Sequence, residues 1–160
     1  MTTSPATAPG SRPGMPAAVD ANDLTRTFGD FVAVDRLNLA IPAGSIFGLL
    51  GPNGAGKSTT IKMLTTLLPP TSGTARAAGF DVARQPAAVR RHVGYVPQFL
   101  SADGALTSHE NLLIVAKLYD LPARERRRIQ EVLELVGLAG AAHTLVRHYS
   151  GGMIRCLEIA

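Results

Sequence analysis

Nine consecutive residues, Gly51-Pro52-Asn53-Gly54-Ala55-Gly56-Lys57-Ser58-Thr59, fit the pattern G-x-x-x-x-G-K-S/T and constrain this chain more than any other feature. Glycines let a backbone wrap closely around phosphate oxygens, with successive N–H groups pointing inward. Lys57 supplies a point positive charge to β- and γ-phosphates, Ser58 a hydroxyl for Mg²⁺, and a helix opening here the positive end of its dipole. Such a loop belongs between a strand and a helix. Ser45 to Leu50 is a short apolar run before glycine, as expected of a buried strand in a parallel sheet. Lys57 to Leu68 places Ile61, Leu64, Leu67 and Leu68 at helical spacing, and Pro69-Pro70 stops it. A dinucleotide-type G-x-G-x-x-G loop is excluded, because Gly54-Ala55-Gly56 leads into Lys57-Ser58-Thr59 with no third glycine. The motif reads as a triphosphate-binding P-loop; ATP with Mg²⁺ is the expected ligand, although a P-loop alone does not distinguish kinases, GTPases and motor ATPases.

Around this loop, 160 residues suffice for one domain with a core. Met1 to Ala18, rich in Thr, Ala, Pro, Gly and Ser, reads as a disordered tail. Val32-Ala33-Val34 and Leu37 to Ile41 are expected strands, followed by a turn at Pro42-Ala43-Gly44. A weaker strand is expected over Thr74 to Ala78, a short helix over Pro86 to Arg91, and a buried strand over Val93 to Pro97, ending at Gln98. The character then turns helical. Thr107-Ser108-His109-Glu110 is a capping-box sequence opening a helix to about Tyr119. A second helix is expected from near Pro122, with Ile129, Val132, Leu133 and Val136 on one face and Gly137 as its C-terminal cap. A third is expected just after Ser150. No internal repeat is visible.

Composition removes several classes. The net charge is +4, but its densest run, Arg124-Glu125-Arg126-Arg127-Arg128, suits a solvated helix face and lacks interleaved aromatics, so no nucleic-acid partner is expected. A single cysteine, Cys156, allows no intramolecular disulfide and no thiolate zinc cluster, reads as a small buried hydrophobe, and fits a reducing cytoplasm. The N-terminus lacks a signal-peptide apolar region. Leu37 to Gly56 is free of charge over a span-length window, yet its prolines, asparagines and glycines make a poor bilayer helix, so any membrane spans are expected from another subunit.

A second motif narrows the P-loop. Tyr149-Ser150-Gly151-Gly152-Met153 resembles the signature sequence, commonly LSGGQ, of ATP-binding-cassette (ABC) ATPases, at a helix start where Ser150 and the N–H groups of Gly151 and Gly152 can grip an anion. The resemblance covers Leu24 to Ala160. It implies an α/β fold: a P-loop NTPase core with an antiparallel β subdomain over 19–99, an α-helical insert over 100–149, and the start of a signature helix over 150–160. It also implies a head-to-tail dimer in which one subunit's signature closes on ATP held by the other's P-loop. Gln98 matches the Q-loop glutamine that contacts Mg²⁺ and the attacking water; alone it would be read as a solvated loop amide. Phe28 matches the aromatic that stacks on adenine, where Tyr is more usual, with an ordinary strand-end core residue as the alternative.

Within that family the wording of Ile46 to Pro70 and Tyr149 to Met153 is similar to bacterial daunorubicin/doxorubicin-resistance exporter ATPases. This implies a separate transmembrane permease partner and a place on the cytoplasmic face of the membrane. Where further basic residues are expected after Met153, Ile154 and Cys156 bracket Arg155. The family's apolar strand ending in Asp-Glu and its switch His have no match here, and His92, His109, His143 and His148 are expected at the surface or in packing. These 160 residues alone are therefore expected to turn over ATP negligibly and to be marginally stable. The alternatives are a soluble ABC-type ATPase acting on ribosomes or DNA, and a piece that binds nucleotide without further activity.

Overall fold

The computed structural model describes residues 17–98, 101–119, 121–122 and 127–160. They form two compact units, one ending at Tyr95 and one running from Val96 to Ala160.

The first unit is built on two long strands, β1 (Ala17–Phe28) and β2 (Phe31–Pro42), which pair antiparallel across a tight turn. β3 (Ser72–Ala77) lies along the other side of β1 and is followed by the short β4 (Phe80–Asp81), giving the order β2-β1-β3-β4. β1 and β2 carry bulges, with Asp23 and Arg36 at positive φ of 46° and 42°. Side chains absorb the backbone groups freed there: Asn38 Oδ1 accepts from Asp23 N–H, and Thr25 Oγ1 accepts from Arg36 N–H, both at 2.9 Å. Because β2 is bent rather than broken, the two strands expected over 32–34 and 37–41 are one. β1 begins at Ala17, so its first two residues, Ala17 and Ala18, belong to the sheet and not to the tail; Met1 to Pro16 lie outside the described residues.

α1 (Lys57–Leu64) and α2 (Pro86–His92) cover this sheet's apolar side chains. Leu24, Met63 and Val89 are fully buried, with Ala21, Val34, Leu39, Ala75, Ala77 and Val82 around them. α1 stops one turn earlier than its apolar spacing suggests. Thr66 takes a left-handed φ of 62°; its N–H bonds to Met63 O, and Leu67 N–H reaches back to Lys62 O at 2.8 Å. That pair of bonds is a Schellman ending, and it lets Leu68 still pack on the core although it is no longer helical.

Two expected strands are not found. Ser45–Leu50 and 93–97 have no regular secondary structure, and Ile46, Phe47, Leu50, Tyr95 and Val96 are exposed. A parallel strand forms only where a neighbouring strand is placed to share its ladder. Among the described residues the sheet is wholly antiparallel, and neither segment pairs with it.

The second unit is helical: α3 (Ser108–Leu118), α4 (Arg127–Leu135) and α5 (Gly151–Ile159), with 3-10 turns at Ala139–Ala141 and Val146–His148. Ile129 and Leu133 project from α4 into a core with Ala116, Leu138, Ala142, Val146, Tyr149 and Leu157. Gly137 closes α4 at φ 74°, with Leu138 N–H bonded to Leu133 O at 2.7 Å. Cys156 is partly buried and packs at this core's margin rather than within it. Pro122, near which the second helix is expected to begin, has no regular structure, and residues 123–126, with Arg124 and Arg126 of the arginine run, lie outside the described residues.

Candidate functional site

The loop from Gly51 to Thr59 is shaped by its last glycine. Gly56 caps α1 in the left-handed region, at φ 78°. A Cβ there would overlap the Ala33 carbonyl oxygen and stand 3.0 Å from Val34 Cγ2. Both the turn and the close approach of α1 to β2 therefore require glycine. Upstream, Ala55 N–H closes a turn onto Pro52 O at 3.3 Å, and downstream Thr60 N–H makes the first helical bond to Gly56 O at 2.8 Å. Buried Thr60 and Met63 fix α1 beneath the loop, while Gly51 to Ala55 and Ser58 stay exposed.

Lys57 turns back over the loop, and its ammonium donates to the carbonyls of Gly51 and Pro52, each at 2.7 Å. Ser58 follows on the first turn of α1, which holds no acidic side chain to offset the helix dipole. Backbone N–H groups, a cation, a hydroxyl and a positive helix end are thus gathered on one exposed loop. That combination suits oxyanions, phosphates above all. Among the described residues no three His, Cys, Asp or Glu side chains converge.

Phe28 ends β1 and is 46% exposed, outside the first unit's core. The guanidinium of Arg26 lies 4.6 Å from its ring centroid and donates to Pro69 O at 2.8 Å. Positions two apart on a strand share a face, so this cation–π contact is legible in Arg26-Thr27-Phe28.

In the second unit Ser150 is the N-cap of α5. Its hydroxyl accepts from Met153 N–H at 3.2 Å, leaving Gly151 and Gly152 exposed on the first turn. Tyr149, where Leu is the common residue, anchors this helix start: its hydroxyl donates to Ala141 O at 2.7 Å and lies 3.0 Å from the Ser108 hydroxyl, which is itself 3.2 Å from Ala142 O. Gln98 is exposed, and its carbonyl accepts from Arg155 Nη2 at 2.9 Å. His109 and His143 stack at 5.8 Å, and His92 stacks on Phe80 at 4.9 Å.

A glycine-shaped loop at a helix start on the first unit and a serine-capped Gly-Gly helix start on the second are the features of an ATP-binding cassette. Residues 34–160 match the ABC transporter family, and the chain belongs to it. It is similar to a daunorubicin/doxorubicin resistance ATP-binding protein of Streptomyces peucetius, 46% identical over 144 residues that cover 89% of this chain and 44% of that protein. A linearmycin resistance ATP-binding protein of Bacillus subtilis (strain 168) is 39% identical over 142 residues, 88% of this chain and 46% of that protein. The chain thus spans less than half the length of these relatives. Among solved structures, the ATP-binding subunit of an ABC transporter superposes with a TM-score of 0.74 at 29% identity, covering 89% of this chain and 60% of that one. A nucleotide-free ATP-binding cassette from an ABC transporter gives a TM-score of 0.76 at 24% identity over 90% of this chain and 63% of that one, a likeness of fold. The α/β cassette fold and the resemblance to drug-resistance ATPases expected from the sequence are both found.

Proposed function

We propose that this chain binds ATP with Mg²⁺ as the nucleotide-binding part of an ABC exporter, of the kind that removes drugs or antibiotics from the cell. The observation that carries the reading is the P-loop itself, with Gly56 left-handed at the head of α1 and the Lys57 ammonium poised within it. Gly51 to Thr59 would cradle the phosphates, Lys57 would neutralise their charge, and Ser58 would give its hydroxyl to the ion. Mg²⁺, when bound, supplies charge neutralisation and orientation of the phosphate oxygens. Exposed Phe28 would offer its free ring face to adenine. Ser150, Gly151 and Gly152 would meet the nucleotide held by a second subunit in a head-to-tail dimer, and Gln98 would sense the ion and the attacking water. ATP hydrolysis by the full-length protein would separate the dimer and drive a transmembrane permease subunit at the cytoplasmic face of the membrane. Among the described residues no helix is long and apolar enough to cross it.

Titration of ATP onto the full-length protein tests this directly. Lys57→Ala is expected to weaken binding by about tenfold or more, corresponding to about 1.4 kcal/mol or above. Unchanged affinity overturns the assignment of the loop. Vesicle export that survives Lys57→Ala in the complete transporter overturns the exporter role.

A further inference from the structure

In the second unit, Arg155 and Glu158 lie one turn apart on α5 and form an ion pair at 2.8 Å. The same guanidinium donates to Pro97 O at 2.6 Å and to Gln98 O at 2.9 Å. Glu158, with its side chain 3% exposed, turns its other oxygen to Ser101, accepting from the backbone N–H and, at 3.0 Å, from the hydroxyl. A carboxylate so buried is tolerable because a guanidinium, an N–H and an O–H all donate to it. The chain around Gln98 is therefore fastened at two points: Pro97 and Gln98 through Arg155, and Ser101 through Glu158. The planar fork of arginine can bridge two successive carbonyls, whereas the single ammonium of lysine is a poor substitute.

We infer that Arg155 and Glu158 are positioning residues that tie the Gln98 segment to α5, so that Gln98 and the Ser150-Gly151-Gly152 start of the same helix are set together. Arg155 is the basic residue kept after Met153 where more were expected, and it points back into the unit rather than outward as a surface charge. The inference rests on the reading of Gln98 and Ser150 as parts of the nucleotide site.

Hydrogen exchange and turnover in the full-length protein test it separately. Glu158→Ala is expected to speed amide exchange at Ser101 by about tenfold or more, with Leu133 in the core unchanged. Glu158→Gln, which keeps an oxygen for the Ser101 N–H, is expected to restore much of the protection. Arg155→Gln is expected to lower kcat for ATP about tenfold with KM held within about twofold, and Arg155→Lys to rescue it poorly. Added to Gln98→Ala, Arg155→Gln should cost little more, since both act through one side chain. Wild-type exchange at Ser101 in Glu158→Ala, or full additivity of the two substitutions, overturns the tie. A wild-type kcat for Gln98→Ala instead overturns the role of Gln98, with exchange at Ser101 still deciding whether the tie exists.

Discussion

Gly56 and Tyr149 show how single atoms fix the candidate site. At Gly56 a methyl group would be both left-handed and in collision with the Ala33 carbonyl. Gly56→Ala is expected to destabilise the first unit by about 1–3 kcal/mol and to weaken ATP binding, checked by urea denaturation alongside nucleotide titration. Tyr149→Phe removes one hydroxyl and strips the Ala141 carbonyl and Ser108 hydroxyl of a partner, for an expected loss of about 1–3 kcal/mol in the second unit. The P-loop glycines were legible because a motif with a physical cause specifies both residue and position. Tyr149 was legible as a departure from Leu, but its anchoring was not, since Ser108 is distant in sequence and Ala141 offers a backbone carbonyl. Arg155 is hidden in part for the same reason: two of its partners are the backbone carbonyls of Pro97 and Gln98, which leave no mark in a sequence.

Helix ends were read more accurately than strands. Thr107-Ser108-His109-Glu110 makes both halves of its box, Glu110 N–H donating to Thr107 Oγ1 at 3.2 Å while Thr107 N–H donates to Glu110 Oε2 at 2.8 Å. Gly137 likewise ends α4 in the left-handed turn its position foretold. Caps depend on four or five neighbouring residues, so the sequence contains the whole interaction. Thr107→Ala is expected to cost about 1 kcal/mol, measured by thermal or urea unfolding of the second unit. The Thr107 backbone N–H, followed by its hydroxyl, holds the Glu110 carboxyl below its ordinary range. A lowered folded-state pKa means that this contribution is fully present above the ordinary carboxylate value and is lost as pH falls through the folded one. Amide protection at the start of α3 should therefore decline as pH falls below the ordinary carboxylate range, whereas in Glu110→Gln it should change little. A wild-type profile as flat as that of Glu110→Gln would show that the charge of Glu110 does not support the helix. Ser45–Leu50 and 93–97 were misread because apolarity declares that a segment seeks burial, while its ladder depends on other strands.

At the scale of the whole molecule, those two segments contribute Ile46, Phe47, Leu50, Tyr95 and Val96 to the exposed apolar surface. Ile46 at 104% and Leu50 at 93% relative exposure stand in solvent beside backbone that no described strand pairs. Such an edge invites pairing with another copy. This 160-residue chain is expected to self-associate in a concentration-dependent way, and Ile46→Ser with Leu50→Ser to shift it toward monomer in analytical ultracentrifugation. Equal association of both proteins would clear this segment. Positive φ values at Asp23, Arg36, Thr66 and Ala78 mark places where pairing or packing outweighs local preference, which is why strand continuity and the end of α1 escaped the sequence pattern.

The grip of Lys57 on Gly51 and Pro52 alters what a binding measurement at this loop means. The ammonium acts as an internal counter-ligand, and a phosphate bound as proposed would have to displace two short bonds to claim it. Measured affinity is therefore the free energy of an exchange, smaller than that of the phosphate–lysine contact taken alone. Lys57→Ala deletes both sides of that exchange and also unties the loop, so its effect contains a reorganisation penalty besides the missing charge. Lys57→Arg separates the two: a guanidinium that still spans the carbonyls would preserve the loop's shape yet release its charge less readily, weakening ATP binding with the ligand-free loop intact.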